Sequence, residues 1–125
     1  MSEFGKYLRE VRTSKKPSIS QEALGDAVGR SKMAICQFEQ GKTAPPKGEL
    51  LAAIIDALGA TEDEARELRF LAASQRGSVP DDICEYFFSS SLIYSAIKTA
   101  KETGVDEAAW ARFLSSMEDG NATAE

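Results

Sequence analysis

Histidine is missing altogether from the 125 residues. Its absence removes the usual general base near neutral pH and the commonest metal ligand. Hydrolytic triads and histidine-containing metal sites are therefore excluded. An enzyme would have to work with carboxylates or lysine alone, and neither GxGxxG nor GxxxxGK[ST] occurs. The expectation is a protein that is not an enzyme and holds no metal or cofactor. Cysteine is scarce as well. Cys36 and Cys84 are far apart and outside any CxxC pair, which reads as two reduced thiols. No apolar run approaches the ~20 residues of a membrane span. The opening MSEFGKYLRE has no apolar signal-peptide core. A cytoplasmic protein without a membrane partner is expected. Strand signals are lacking too: there is no alternating apolar run, no Asn-Gly hairpin and no internal repeat.

What remains is an ordinary globular composition, 42% hydrophobic and 28% charged, long enough for one domain plus a small appendage. The net charge of −5 is unevenly spread. Residues 1–59 hold nine Lys/Arg against seven Asp/Glu, whereas residues 60–125 hold six against thirteen. Such asymmetry points to two jobs, and only the front half can approach a polyanion.

The pattern is helical throughout, and each helix is bracketed by its punctuation. The first spans 3–13, with Ser2 as cap and Phe4, Leu8 and Val11 on one face. A polar connector, SKKPS, follows. The second spans 21–28, opened by Ser20, stapled by Ile19 and Leu24, and closed by Gly29. The third spans 32–40, between Ser31 and Gly41. KTAPPK (42–47) must be a loop, because two prolines cannot lie in a helix interior. The fourth helix spans 48–58, burying Leu51, Ile54, Ile55 and Leu58. The fifth begins on the capping box Thr61-Glu62-Asp63-Glu64 and runs to 76. After the break at RGSVP come helices at 80–88, 92–102 and 106–117. The predicted organisation is one domain over 1–76, a helical segment over 77–118 and a disordered acidic tail over 119–125.

The second helix, a three-residue turn and the third helix fit a helix-turn-helix. Close approach of the two helices needs a small residue, which Gly25 supplies. The turn needs positive φ, which suits Gly29. Leu24, Val28, Ile35 and Phe38 are the inward anchors. Residues 4–59 resemble the five-helix DNA-binding domain of the Cro/CI-like (XRE) repressors. The matching residues are Leu8, Arg12, Ser20-Gln21, Leu24, Gly29, Ser31, Ile35, Glu39, Gly41-Lys42, Pro45 and ALG at 57–59.

That resemblance implies roles. The third helix would enter the major groove, with Lys32, Met33 and Gln37 at base edges. Ammonium suits guanine, an amide pairs with adenine and a thioether packs on a thymine methyl. Gln21 would hold a phosphate together with its helix N-terminus. Arg30, Ser31, Lys42 and Thr43 would bind phosphate at the groove's flanks. Arg12 and Glu39 match a pair that bridges the first and third helices. Each role has a plainer rival: Gln37 as a solvated amide, Met33 as core filler. The chain also departs from the family pattern. SKKPSIS lengthens the first connector, Gly25 stands where alanine is commoner, and Gln40 replaces a frequent basic residue. Modest affinity per monomer and reliance on dimerisation follow.

Residues 80–117 hold six of the ten aromatics. Ile83, Tyr86, Phe87, Leu92, Ile93, Ile97, Trp110, Phe113 and Leu114 are the candidate dimerisation residues, because about forty residues cannot bury so much alone. The expected fold is all-α: a five-helix Cro/CI-like domain followed by a short C-terminal helical dimerisation segment. The expected function is a homodimeric repressor on a palindromic double-stranded operator. The alternative is an antitoxin whose C-terminal helices bind a toxin. An antirepressor or a protease is a further protein partner to weigh. A third class is an adaptor that kept the fold without DNA binding.

Overall fold

The computed structural model describes residues 2–123, with side chains described as far as residue 120. All regular structure among them is helical: α1 Glu3–Ser14, α2 Gln21–Val28, α3 Lys32–Gln40, α4 Gly48–Leu58, α5 Glu62–Arg76, α6 Asp81–Phe87, α7 Ser91–Thr103 and α8 Glu107–Thr123. The all-α fold expected from the sequence is the one observed.

Helix starts are set by short polar side chains that accept the first free N–H groups. Ser2 Oγ accepts from Gly5 N at 2.9 Å, Ser20 Oγ from Ala23 N at 2.9 Å and Ser31 Oγ from Ala34 N at 3.1 Å. Thr61 and Glu64 exchange both bonds of a capping box. Helix ends are set by glycine: Gly29 closes α2 at φ 72°, a left-handed conformation that a side chain resists.

Two compact units divide the chain, one to Glu85 and one from Tyr86. In the first, α3 packs on α1 and α2, α5 on α1 and α4, and α4 on α2. Phe4, Leu8, Leu24, Ile35, Ile54, Leu58 and Leu68 are fully buried between them. Ile55 stays half-buried at the edge of that core. Two glycines allow the closest contacts. A Cβ on Gly25 would lie 2.7 Å from the Arg30 carbonyl oxygen, so the turn folds directly against α2. A Cβ on Gly5 would collide with the Glu39 carbonyl, so α1 rests on the backbone of α3.

The second unit is different. No described side chain from Tyr86 onward is buried. Tyr86 is 75% and Leu92 76% exposed, and Ile97, Trp110, Phe113 and Leu114 are exposed with them. Phe87 and Ile93 are half-buried. Local aromatic pairs form, Phe87 edge-on to Phe88 at 5.0 Å and Trp110 edge-on to Phe113 at 6.1 Å. Helix α8 runs to Thr123, so residues 119–123, expected as a disordered tail, are helical; Ala124 and Glu125 lie outside the described residues. Among the described residues no helix is long and apolar enough to cross a membrane.

Candidate nucleic-acid interface

The third helix shows two unlike sides. Ile35 is fully buried and Phe38 packs against the core. Met33 is 62% exposed, so it does not fill the core. Lys32 is exposed beside it, and Gln37 is half-buried one turn on. Spacings of one, four and five place these three around the outer side of one nine-residue helix. They bring an ammonium, a thioether and an amide to neighbouring positions. Each chemistry has a counterpart on base edges. Cys36 is half-buried and its thiol is free.

The ends of the helix carry the polar groups suited to phosphate. Arg30 and Ser31 are exposed in the turn before it, and Lys42 and Thr43 are exposed after it. Arg30 Nη1 donates only to its neighbour's carbonyl, Gly29 O, at 3.2 Å. Ser31 Oγ already accepts from Ala34 N. Its own hydroxyl proton can still be donated outward.

Beneath this surface lies a buried polar cluster. Arg12 Nε donates to Glu39 Oε2 at 2.7 Å and Arg12 Nη2 donates to Glu39 Oε1 at 3.0 Å, a bidentate pair. Arg12 Nη1 donates to the Ile19 carbonyl at 2.8 Å, and Ile19 N donates back to the Arg12 carbonyl at 3.1 Å. One guanidinium thus fastens α1, the connector and α3 together. Among the described residues no buried side-chain polar atom lacks a partner.

Gln21 joins this cluster through an interaction that the sequence reading did not anticipate. Its Nε2 donates to Glu39 Oε1 at 3.0 Å. A carboxylate only accepts, so the NH2 side of the amide must face it. One N–H of that NH2 is used and the second is left. Gln21 also opens α2, where free backbone N–H groups attract an anion.

Two residues of the surrounding framework escaped sequence reasoning. Arg76 Nη1 donates to the Pro46 carbonyl at 2.9 Å. Asp81 Oδ2 accepts from Gly48 N at 2.6 Å. Both reach across thirty or more positions, so no local motif shows them. The available signal was a gap: Lys47 precedes α4 where a capping Ser, Thr, Asp or Asn is usual.

Residues 3–68, just over half of the chain, match the family model described as a helix-turn-helix domain. A relative from Bacillus subtilis (strain 168), the uncharacterized HTH-type transcriptional regulator RghRB, is 30% identical over 106 residues. The match covers 85% of this chain and 72% of the relative. No solved structure matches.

Proposed function

The chain belongs to the helix-turn-helix DNA-binding transcriptional regulators, and from that membership we propose that it is a dimeric repressor reading a palindromic operator through α3. The observation that carries this reading is the outer side of α3. It places Lys32, the exposed Met33 and Gln37 together, on a helix whose other side is locked into the core by Ile35. Lys32 donates to guanine O6 or N7, Gln37 pairs with adenine N6 and N7, and Met33 packs on a thymine methyl. Arg30, Ser31, Lys42, Thr43 and the second N–H of Gln21 hold phosphates on either side, setting register without reading sequence. Arg12 and Glu39 stay inside as the strut that holds α3 to α1.

Dimerisation is supported by the second unit, whose apolar residues find no cover in the described chain. Two helices, α7 and α8, with no buried residue among their described side chains, gain little stability alone. A second copy covers Ile83, Tyr86, Phe87, Leu92, Ile93, Ile97, Trp110, Phe113 and Leu114, and two-fold symmetry then presents two recognition helices to half-sites ~34 Å apart. The same exposed residues favour a second reading, in which they grip a toxin, an antirepressor or a protease.

A gel shift against the DNA upstream of the protein's own gene tests the main reading. One discrete complex is expected, weakened steeply by salt as phosphate contacts release counterions. Binding that ignores sequence would overturn it. Co-purification of a small toxic protein in stoichiometric amount would favour the second reading.

A further inference from the structure

Helix α4 lacks a capping side chain of its own. Lys47 stands at its N-cap and makes no cap hydrogen bond. Gly48, the first helical residue, has φ 59°. Its N–H is instead met by Asp81 Oδ2 at 2.6 Å, from the first residue of α6. A carboxylate there satisfies a free N–H and suits the positive end of the helix dipole. Arg76, the last residue of α5, holds the adjoining residues. Its Nη1 donates to the carbonyls of Pro46 at 2.9 Å and Pro45 at 3.5 Å. Both prolines are buried. The 42–47 loop is therefore fixed at its C-terminal end by two side chains from outside the helix-turn-helix. Its other end carries Lys42 and Thr43.

We infer that Arg76 and Asp81 are positioning residues for the DNA-contacting loop. The inference rests on the proposed phosphate contacts of Lys42 and Thr43. Neither Arg76 nor Asp81 touches DNA in this scheme. Asp81 acts by capping α4, which keeps the loop in one conformation before DNA arrives. Loss of that cap frees the loop and weakens binding.

The sign of the effect separates this role from simple charge. Asp81 is an exposed negative charge, so removing it should tighten binding to a polyanion if only its field matters. Removing the cap should loosen binding. Asp81→Ala removes charge and cap together, whereas Asp81→Asn removes the charge but keeps an acceptor oxygen that caps about equally well. Both variants are made in the full chain. Amide exchange over residues 48–51 is followed without DNA, and operator affinity is measured at fixed salt. In Asp81→Ala, exchange at those amides should quicken about five- to tenfold and the operator Kd should rise about three- to tenfold. In Asp81→Asn, exchange should stay near wild type and the Kd should not rise.

Unchanged exchange in Asp81→Ala overturns the inference whatever the DNA result. Faster exchange with an unchanged or lower Kd overturns the positioning role and leaves the regulator reading intact. Equal tightening in both variants reduces Asp81 to a surface charge. A wild-type chain that forms no sequence-specific complex removes the functional reading, and the inference with it.

Discussion

Glu39→Gln should destabilise the first unit by about 3–5 kcal/mol, because it breaks a buried ion pair from one side. The Glu39 carboxylate accepts three charge-assisted or polar donors: Arg12 Nε at 2.7 Å, Arg12 Nη2 at 3.0 Å and Gln21 Nε2 at 3.0 Å. The Arg12 and Glu39 side chains are only 9% and 3% exposed, so water screens little of their interaction. Glutamine has the same shape but one acceptor oxygen, and it turns an NH2 group toward a donor. Arginine cannot shed its proton, so its charge remains buried with poorer partners. At ~4–8 °C per kcal/mol for a domain of this size, the midpoint of thermal unfolding should fall by at least about 12 °C. Circular dichroism melts of wild type, Glu39→Gln and the double variant Arg12→Met/Glu39→Met provide the measurement. The double variant removes both charges and leaves mainly the Ile19 carbonyl and the Gln21 amide short of partners, each worth about 1 kcal/mol. It should be more stable than Glu39→Gln. A loss below about 1 kcal/mol in Glu39→Gln refutes the reasoning. So does a double variant that is no more stable than Glu39→Gln.

Three other outcomes are expected. Gln37→Ala should relax base preference at one operator position, at a cost of about 1–3 kcal/mol, whereas Gln21→Ala should weaken all sequences alike; competition with single-base operator variants separates them. Glu64 is held below the usual carboxylate range first by its hydrogen bond from the Lys15 ammonium and next by the Thr61 N–H. A depressed folded-state pKa adds stability above the unfolded value and loses it as pH falls through the folded one, so wild type should exceed Glu64→Gln in urea midpoint near neutrality. That gap should close as pH drops below about 4. A chain ending at Glu85 should stay folded but sediment as a monomer with much weaker operator binding, and a tight dimer would place the interface elsewhere.

The first five helices were legible to within one residue because their signals are local. Ser2, Ser20, Ser31 and Thr61 cap their own helices, and glycines stop four of them one residue on. What escaped depends on distant pairs. The break at RGSVP is plain in the sequence, whereas the extent of the first compact unit, to Glu85, rests on packing. The bond from Asp81 to Gly48 spans 33 positions. Only packing shows that α3 leaves no room for a side chain at Gly5. The family resemblance implies a phosphate role for Gln21, but nothing local shows it as a partner of Glu39, because that contact needs α2 and α3 already crossed. The apolar character of residues 80–117 was plain in composition. Their exposure was not, since a hydrophobic stripe reads alike whether its cover comes from its own chain or another.

The bond from Gln21 to Glu39 bears on the entropy of recognition. A long amide at a protein surface ordinarily samples many rotamers, and fixing one on binding costs about 0.5–1.5 kcal/mol. Here the side chain is anchored at its tip by a buried carboxylate. It loses its freedom when the protein folds, and has little left to lose when DNA arrives. The residue that would align the helix-turn-helix on the phosphate backbone is thus held in place by the same buried carboxylate that ties α3 to α1.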